Sequence, residues 1–507
     1  MGNKNKTNMY VDIISLHNEV TGSCIICTVR FPDKEKIRFL IDCGLFQEEN
    51  YQLQNFSFPF DPKEIKFVLV THNHIDHVGR LPKLYKDGFR GNIYASKITS
   101  MLMPLALYNT AEILSYSFQK NPNKYKKIIE DASVPVFLNN DVLYDSKNVE
   151  EMLSYVTGKE YNSTFKITDN ISATLIPNAH LLGAASILVT ISYENEDPIY
   201  LYFSGDYSQN NRLFDVEENN SIYNLPINIV QESTYGKTSK DTIEYTFRKY
   251  LLNSIKNKET CIIPVFSQGR AQEIPYELKQ MQQEGLLDTS IPIFADGKLS
   301  YSYTNFYLNH SEFLKKEVKN FLPENFNFVK DNIEREKLLT DRSCKIILTT
   351  SGMGNYGPAQ TYLPYYISRP KCSIIFCGYT TPDSLGGKLK QVKKNELFNL
   401  NGLIVKKAAN VYSTNEFSGH AKKEELLNLL RKFNNIKSVI INHGNTDVKE
   451  YYAKRVVNEI APKNVALLDN QNYIRIYAYG IAKTFKATDI NIRYRIKLSE
   501  NSLSFYF

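Results

Sequence analysis

The chain has 507 residues, which is more than a single hydrophobic core normally serves, so we expect two domains or one domain with a large insertion. Hydrophobic residues make up 42% and charged residues 23%, and no apolar run approaches the roughly 20 residues of a membrane span, which argues against an integral membrane protein. Lysine and arginine exceed aspartate and glutamate by 61 to 54, a surplus that suits a polyanionic partner without requiring one.

Short runs rich in β-branched and aromatic residues alternate with amphipathic stretches over most of the chain, which predicts a layered α/β fold. In chain order, strands are predicted at residues 37–42, 67–70, 173–176, 199–203, 227–231, 261–266, 291–294, 345–348, 373–377 and 438–441. Helices are predicted at residues 79–86, 241–257, 270–283 and 422–433. The last of these is predicted because its leucines form one apolar stripe.

Side chains that can bind metal follow five of the predicted strands. The residues at these positions are His72, His180, Asp206, Glu232 and His443. Open α/β sheets place their functional sites just beyond the carboxyl ends of strands. A histidine with a purely structural role has no reason to prefer such positions.

The densest group of metal-ligand residues is His72, His74, Asp76 and His77, which lie within six residues. Imidazole and carboxylate groups are the ones that bind zinc at neutral pH. An isolated histidine is more often a core or surface residue, and His17 and His310 are read in that way because they lack such neighbours. The group at 72 to 77 therefore indicates a metal-dependent hydrolase.

These residues resemble the sequence motifs of the metallo-β-lactamase fold, and in particular those of its β-CASP nuclease branch. The segment from His72 to His77 is similar to the family's second motif, and the residues similar to its first, third and fourth motifs are Asp42, His180 and Asp206. The residues similar to motifs A, B and C of the β-CASP branch are Glu232, His420 and His443. Histidine in motif C resembles the RNA-directed members, whereas DNA-directed members usually carry valine.

The resemblance covers almost the whole chain and implies a metallo-β-lactamase αββα sandwich with an inserted β-CASP α/β lobe. We expect the first part of the metallo-β-lactamase domain at residues 1–212 and the β-CASP domain at residues 213–404. Residues 405–507 are then the second part of the metallo-β-lactamase domain, with a β-like tail after about Asn470.

By the same resemblance, the site holds two zinc ions per chain. The implied ligands of the first ion are His72, His74, His180 and Asp206, and those of the second are Asp76, His77, Asp206 and His443. Asp42 is expected to brace a ligand histidine rather than to bind metal. The implied catalytic residues are His420, Glu232 and Asp76, with His420 donating a proton to the leaving 3′ oxygen and Glu232 keeping His420 protonated.

Two loops of the expected β-CASP domain are candidates for RNA contacts. Their residues are Ser267, Arg270, Ser351 and Gly352. Backbone N–H groups at a helix start and a guanidinium fork both bind phosphate. Turns of serine and glycine before helices are also ordinary structural features, so sequence alone leaves both readings open.

The sequence thus predicts a zinc-dependent ribonuclease of RNA processing or decay, acting as a homodimer or within an RNA-processing complex. Endonuclease and 5′-to-3′ exonuclease action remain equally open. The scattered cysteines and the absence of a signal-peptide pattern predict a cytoplasmic protein without membrane contact. The alternatives are a DNA nuclease, against which His443 argues, a catalytically silent RNA-binding subunit, against which the filled ligand positions argue, and a small-molecule hydrolase.

Overall fold

The computed structural model describes residues 8–17, 20–47, 49–120, 142–237, 245–378, 380–400 and 402–486. They form two compact units. Unit 1 comprises the described residues within Met1–Asn210, Val216–Asp241 and His420–Phe505, and unit 2 comprises those within Asn211–Asp215 and Thr242–Gly419. Among the helices of these ranges, none has the length and apolar composition needed to cross a bilayer.

Unit 1 contains an eight-stranded and a seven-stranded sheet. The strands of the first are β1 Tyr10–Ser15, β2 Ile25–Arg30, β3 Ile37–Ile41, β4 Ile65–Leu69, β5 Asn92–Ser96, β6 Val156–Lys159, β22 Asn472–Tyr477 and β23 Gly480–Lys486. Their spatial order is β23-β22-β1-β2-β3-β4-β5-β6. The pairs from β3 to β6 are parallel, so these strands end at one edge of the sheet.

The strands of the second sheet are β7 Thr164–Lys166, β8 Ile171–Pro177, β9 Ala185–Ile191, β10 Ile199–Phe203, β11 Ile227–Glu232, β20 Ile436–Asn442 and β21 Asn464–Leu467. Their spatial order is β21-β20-β11-β10-β9-β8-β7. The strands β10, β11, β20 and β21 are parallel to one another. Because β9 is antiparallel to both β8 and β10, β8 runs in the same direction as this parallel group.

The two sheets of unit 1 pack face to face through one apolar core, to which Ile13 of β1 and Ile187 of β9 belong. The helices of unit 1 are α1 Ile75–Val78, α2 Leu81–Lys86, α3 Lys97–Lys120, α4 Ser146–Leu153, α11 Lys423–Arg431 and α12 Thr446–Glu459. The leucine stripe of α11 and Tyr452 of α12 cover the outer face of the second sheet, and α3 lies against β5 and β6. The predicted αββα layering is confirmed.

Unit 2 is built on a parallel sheet with helices on both faces. Its strands are β12 Thr260–Pro264, β13 Ile293–Asp296, β14 Phe326–Phe328, β15 Ile346–Thr349, β16 Cys372–Phe376 and β19 Asn410–Ser413, in the spatial order β14-β13-β15-β12-β16-β19. A separate hairpin consists of β17 Leu397–Leu400 and β18 Leu403–Lys406. Ile262 and Ile263 enter different apolar clusters, which explains why these strands read as continuous apolar runs.

The helices of unit 2 are α5 Phe247–Lys256, α6 Arg270–Gln283, α7 Lys298–Asn309, α8 Asn332–Thr340, α9 Ala359–Ile367 and α10 Leu385–Gln391. Short 3-10 turns occupy Glu49–Phe56, Pro62–Glu64 and Asn220–Ile222 in unit 1, and Ser311–Phe313 and Lys316–Val318 in unit 2. Residues 241–244 of the helix predicted at 241–257 lie outside the described residues. The same holds for the part of the predicted tail after Lys486.

Two sequence-based boundaries differ from the structure. The helix predicted at 79–86 begins two residues later, as α2 at Leu81, and proline stands in its first turn, where no backbone N–H is needed for a helical hydrogen bond. The sequence does not predict the preceding helical turn α1. Residues 216 to 237 group with unit 1, because β11 pairs with β10 and β20, whereas the sequence-based division places them in the inserted domain. As domain limits, residues 212 and 404 stay predictions.

Candidate metal centre

The carboxyl ends of the strands of unit 1 bring the predicted ligands together. Asp206 follows β10, Glu232 is the last residue of β11, and His443 follows β20. Glu232 and Asn442 are partners in the parallel register, so Glu232 and His443 reach the same edge. His72 follows β4 in the facing sheet. The polar residues lie here because the strands themselves are buried and apolar, and the chain becomes polar where each strand ends.

The segment from His72 to His77 presents side chains from an extended stretch and then from one helical turn. His74 has extended backbone angles (φ −63°, ψ 147°) and caps α1, which carries Asp76 and His77. Neighbouring backbone holds this turn: Ser23 N–H donates to the carbonyl of Asp76 at 2.8 Å, and Cys43 N–H donates to that of His77 at 2.7 Å. The ligand segment is therefore fixed by the loops that precede β2 and follow β3.

Gly44 packs directly against this turn, and Gly44→Ala is expected to destabilise unit 1. A Cβ atom at residue 44 would lie 1.5 Å from the carbonyl oxygen of Asp76, so the ligand turn would have to move. We expect a loss of about 1–3 kcal/mol in the free energy of unfolding, measured by urea denaturation. Gly378→Ala is the control, because its Cβ would meet no atom closer than 3.4 Å. Equal stability of the two variants would contradict the prediction.

Asp206 lies at the centre of the cluster, and its two carboxylate oxygens face different histidines. Oδ2 lies 3.8 Å from Nε2 of His72 and 3.7 Å from Nε2 of His180. Oδ1 lies 3.3 Å from Nε2 of His77 and 3.3 Å from Nε2 of His443. One carboxylate therefore contacts two separate sets of imidazole nitrogens.

Several polar atoms of this cluster are buried without a partner of hydrogen-bond geometry. They are Nε2 of His72, His77 and His443, and Oδ1 of Asp206. Nδ1 of His74 also faces Nε2 of His180 at 3.3 Å. Unpaired buried polar atoms are costly, and atoms that converge without satisfying one another are typical of a cation site. The donor set of imidazole nitrogens and carboxylate oxygens fits zinc.

The protonation states favour metal binding on the His72 side. Burial lowers the pKa of His74 to about 4 and, together with the charge of His77, holds the pKa of His72 well below its usual value. Both imidazoles are therefore neutral near pH 7 and keep a lone pair for a metal. Burial also disfavours charge on His77 and Asp206. The carboxylates of Asp206 and Asp42 outweigh it at His77 and raise the pKa of that ring, and attraction to His443 and His77 outweighs it at Asp206 and lowers the pKa of that carboxyl.

Asp42 holds His77 directly and His72 through the Thr71 hydroxyl. Its Oδ2 lies 2.8 Å from Nδ1 of His77 and accepts from the Thr71 hydroxyl at 2.8 Å, while Oδ1 accepts from Thr71 N–H at 2.8 Å. The Thr71 hydroxyl lies 3.0 Å from Nδ1 of His72 and can accept from it. These contacts turn Nε2 of both rings toward Asp206. They match the bracing predicted for Asp42, whose role stays a prediction.

Three further positioning residues escape sequence reasoning, because a threonine or asparagine carries no metal signal by itself. Thr71 is the first. Thr234 Oγ1 lies 3.0 Å from Nδ1 of His443. Asn178 accepts from His180 N–H at 3.1 Å and donates to the Asp206 carbonyl at 3.1 Å. Their places within two residues of His72, His180 and Glu232 are the only signal that could have found them.

Glu232 and His420 form a pair beside the cluster. Nδ1 of His420 lies 3.0 Å from Glu232 Oε2, and Tyr207 N–H donates to the other carboxylate oxygen at 2.5 Å. Nε2 of His420 lies 3.8 Å from Asp206 Oδ2. Burial disfavours the imidazolium, but the charges of Glu232 and Asp206 outweigh it and raise the pKa of His420 to about 9. His420 is thus held protonated at neutral pH.

The two remaining histidines differ from each other. His17 is buried, and its ring centre lies 6.4 Å from that of His443, so it has a neighbour that sequence reasoning did not expect. Its Nδ1 is 3.0 Å from the Ser15 hydroxyl. His310 is partly exposed beside Glu312 in unit 2, as a surface residue is expected to be.

The predicted RNA contacts lie at one edge of the unit 2 sheet, because β12 and β15 are parallel neighbours. Ser267 and Arg270 follow β12, and Ser351 and Gly352 follow β15. A Cβ on Gly352 would lie 2.9 Å from the Phe266 ring, so the two loops pack closely. Arg270 is buried and donates to Glu273 at 2.8 Å, which engages part of its guanidinium. RNA binding by these residues stays a prediction.

Three family models match successive parts of the chain. The model described as metallo-beta-lactamase superfamily matches residues 29–145, and the Beta-Casp domain matches residues 271–389. The Zn-dependent metallo-hydrolase RNA specificity domain matches residues 404–467. The matched regions contain the His72 to His77 segment, α6 with most of the unit 2 sheet, and His420 with His443, respectively.

Several characterised proteins are similar over most of the chain. The transcription termination factor FttA of Methanococcus maripaludis is 30% identical over 80% of this chain and 63% of its own length. A ribonuclease of Thermus thermophilus is 28% identical over 78% of this chain and 85% of its own length. An RNase J-like protein of Methanocaldococcus jannaschii is 27% identical over 81% of this chain and 88% of its own length. The chain thus spans less than two thirds of the FttA relative.

Proposed function

Because the chain belongs to the β-CASP branch of the metallo-β-lactamase superfamily, we propose that it is a ribonuclease that uses two zinc ions. The superfamily implies a divalent metal, and the histidine and aspartate cluster of unit 1 offers ligand atoms for one. The observation that carries the proposal is Asp206, whose two oxygens face separate sets of histidines. Oδ1 faces His77 and His443, and Oδ2 faces His72, His180 and His420. A carboxylate in this position suits a pair of ions better than one.

The proposed ligands of one zinc are His72, His74, His180 and Asp206. Those of the other are Asp76, His77 and His443, which form another group of convergent ligand atoms, together with Asp206, whose Oδ1 lies 3.3 Å from Nε2 of both histidines. When bound, zinc activates water for attack on phosphorus and offsets negative charge on the phosphate oxygens. The protein's own contribution is orientation. Asp42 and Thr71 fix the rings of His72 and His77, and Thr234 fixes that of His443, so their Nε2 atoms stay turned toward Asp206.

His420 is the proposed donor of the proton that the leaving 3′ oxygen needs. Glu232 lies against Nδ1, so the proton to be transferred is the one on Nε2, which lies 3.8 Å from Asp206 Oδ2. Glu232 itself is held by Tyr207 N–H and cannot turn away without losing that bond. A partly buried imidazolium beside a carboxylate is an effective general acid when its partner fixes its orientation.

RNA is the proposed substrate rather than DNA. The match to an RNA specificity domain over residues 404–467 and the ribonuclease name of the Thermus relative favour it. His443 also supports RNA, because histidine at this position of motif C is typical of the RNA-directed members. Ser267, Arg270, Ser351 and Gly352 are the proposed RNA contacts in unit 2, and the zinc site in unit 1 is where cleavage takes place.

Glu232→Gln is expected to lower the pKa of His420 from about 9 toward its ordinary value, because the carboxylate that favours the imidazolium is lost. In metal-free protein, NMR titration of the ring should show this shift. The alkaline limb of the pH–rate profile for RNA cleavage should move to lower pH, because His420 loses its proton as the pH rises through its pKa. Glu160→Gln, an exposed carboxylate paired with Lys97, is the control. An unchanged alkaline limb in Glu232→Gln would contradict the assignment.

The proposal is tested with the purified full chain, its metal content and two labelled RNAs with a 5′-monophosphate or a 5′-triphosphate. We expect two zinc ions per chain, cleavage of RNA to products with a 5′-phosphate, loss of activity on chelation and recovery with zinc. A DNA of the same sequence should remain intact. Intact RNA, or equal cleavage of the DNA, would overturn the proposal, and the product lengths distinguish endonuclease from exonuclease action.

A further inference from the structure

The hairpin of β17 and β18 has one face packed on unit 2 and one face open to solvent. Phe398 lies opposite Val405 in the antiparallel register, and both side chains pack on the apolar core of the unit. Side chains alternate between the faces of a strand, so Leu397 and Ile404 lie on the other face. Their exposed fractions are 65% and 67%. The outer face of the hairpin is therefore partly apolar.

Such exposure is concentrated in this hairpin. In the described part of the chain, only four aliphatic side chains are more than 60% exposed: Ile333, Leu397, Leu403 and Ile404. Three of these belong to the ten residues from Leu397 to Lys406. Single exposed apolar residues are ordinary, whereas neighbouring ones mark surfaces that a partner covers.

The hairpin also leaves backbone hydrogen-bonding groups open at its edges. Lys407 N–H donates to the carbonyl of Glu396 at 2.9 Å, so these two residues form a hydrogen-bonded pair. Hydrogen-bonded and non-hydrogen-bonded pairs alternate along antiparallel strands. The backbone groups of Leu397 and Ile404, which belong to non-hydrogen-bonded pairs, therefore point away from the partner strand. Within the described residues, β17 and β18 pair only with each other. An open strand edge is a template for an added strand.

The charge around the hairpin is positive. Lys393, Lys394 and Lys406 are exposed, and Glu396 is the only acidic residue between Ser384 and Asn410. The Glu396 carboxylate is itself engaged by Lys393 N–H at 2.9 Å. Lysines along an edge oppose pairing with a second copy of the chain, because the lysines of the two copies would repel each other. The same lysines favour an acidic partner.

We propose that this hairpin binds an extended acidic segment of a partner protein, which adds a strand to one of the two open edges and packs side chains over the outer face that carries Leu397 and Ile404. RNA fits the surface less well, because the outer face of the hairpin carries no aromatic side chain for base stacking. A membrane fits less well because lipid cannot pair with the open backbone groups. The proposal is independent of RNA cleavage, since no residue of the zinc cluster belongs to the hairpin.

The test uses the full chain and a labelled peptide of about seven residues, the length of a strand, in which glutamate alternates with valine or isoleucine. We expect binding by fluorescence anisotropy, and about tenfold weaker binding for Leu397→Ser and for Ile404→Ser, because each loses apolar contact area. Ile333→Ser, at an equally exposed position on α8, is the matched control and should bind as the unchanged chain does. RNA cleavage should be the same in all four proteins.

The proposal is overturned if the peptide does not bind below about 1 mM, or if the hairpin variants bind as tightly as the unchanged chain. Equal binding of a peptide with the same composition in block order, or with lysine in place of glutamate, would also overturn it. So would loss of binding to a uridine-rich RNA, or to phosphatidylserine vesicles, in the hairpin variants alone. These last two outcomes would assign the surface to RNA or to a membrane instead.

Discussion

Asp206→Ala is expected to remove both proposed zinc ions and to lower RNA cleavage by roughly a thousandfold or more. The reason is geometric, because the Nε2 atoms of four histidines lie 3.3 to 3.8 Å from the two oxygens of this one carboxylate. Without it, each proposed ion loses a ligand and the cluster loses its central negative charge. Metal analysis and the cleavage rate measure the two effects separately.

The matched control for Asp206→Ala is Asp12→Asn. Asp12 is also buried in unit 1, where Arg475 donates to it at 2.8 and 3.0 Å, so its loss should reduce stability but leave zinc and cleavage intact. Asp76→Ala provides a graded comparison, because Asp76 is a proposed ligand of one ion only. Retention of two zinc ions and of normal cleavage in Asp206→Ala would refute the site assignment.

His420→Ala is expected to keep both zinc ions and to slow RNA cleavage by about 10²- to 10⁴-fold. The substitution removes the imidazolium that Glu232 holds at 3.0 Å but none of the proposed metal ligands. The loss should be much smaller for a substrate with a good leaving group, such as a nitrophenyl phosphodiester, because that group departs without a proton. Cleavage rates of the two substrates, compared in the same variant, measure the effect.

His310→Ala is the control for His420→Ala, because His310 is a partly exposed histidine beside Glu312 in the other unit. It should leave the zinc content and both cleavage rates unchanged. If His420→Ala slows both substrates equally, His420 is not the proton donor. If it also loses zinc, His420 takes part in metal binding.

Much of the cluster follows from the sequence, because metal ligands are restricted to a few residue types and here stand in recognisable motifs. His72, His74, Asp76 and His77 are close in the chain, and their convergence depends only on one loop and one helical turn. Thr71, Thr234 and Asn178 are different. Each of them acts through a ring nitrogen or a backbone carbonyl about 3 Å from its side chain. Threonine and asparagine are too common in loops for the sequence to indicate such contacts.

The fold shows the same division. The alternation of strands and helices correctly predicts an α/β architecture. Each strand or helix buries one face, so its apolar residues recur along the sequence with the period of that element. The membership of residues 216 to 237 in unit 1 is decided by the pairing of β11 with β10 and β20, which joins segments far apart in the chain. Nothing in the composition of that segment distinguishes it from the insertion that follows.

By itself, the sequence determined the family, the α/β layers and the set of side chains able to hold metal. Only the tertiary structure decided that Asp206 turns one oxygen to His72 and His180 and the other to His77 and His443. It also decided that Glu232 meets His420 and raises the pKa of that ring to about 9. The physical reason is that residue type is a local property, whereas distance, burial and electrostatic coupling arise only when distant segments of the chain pack together.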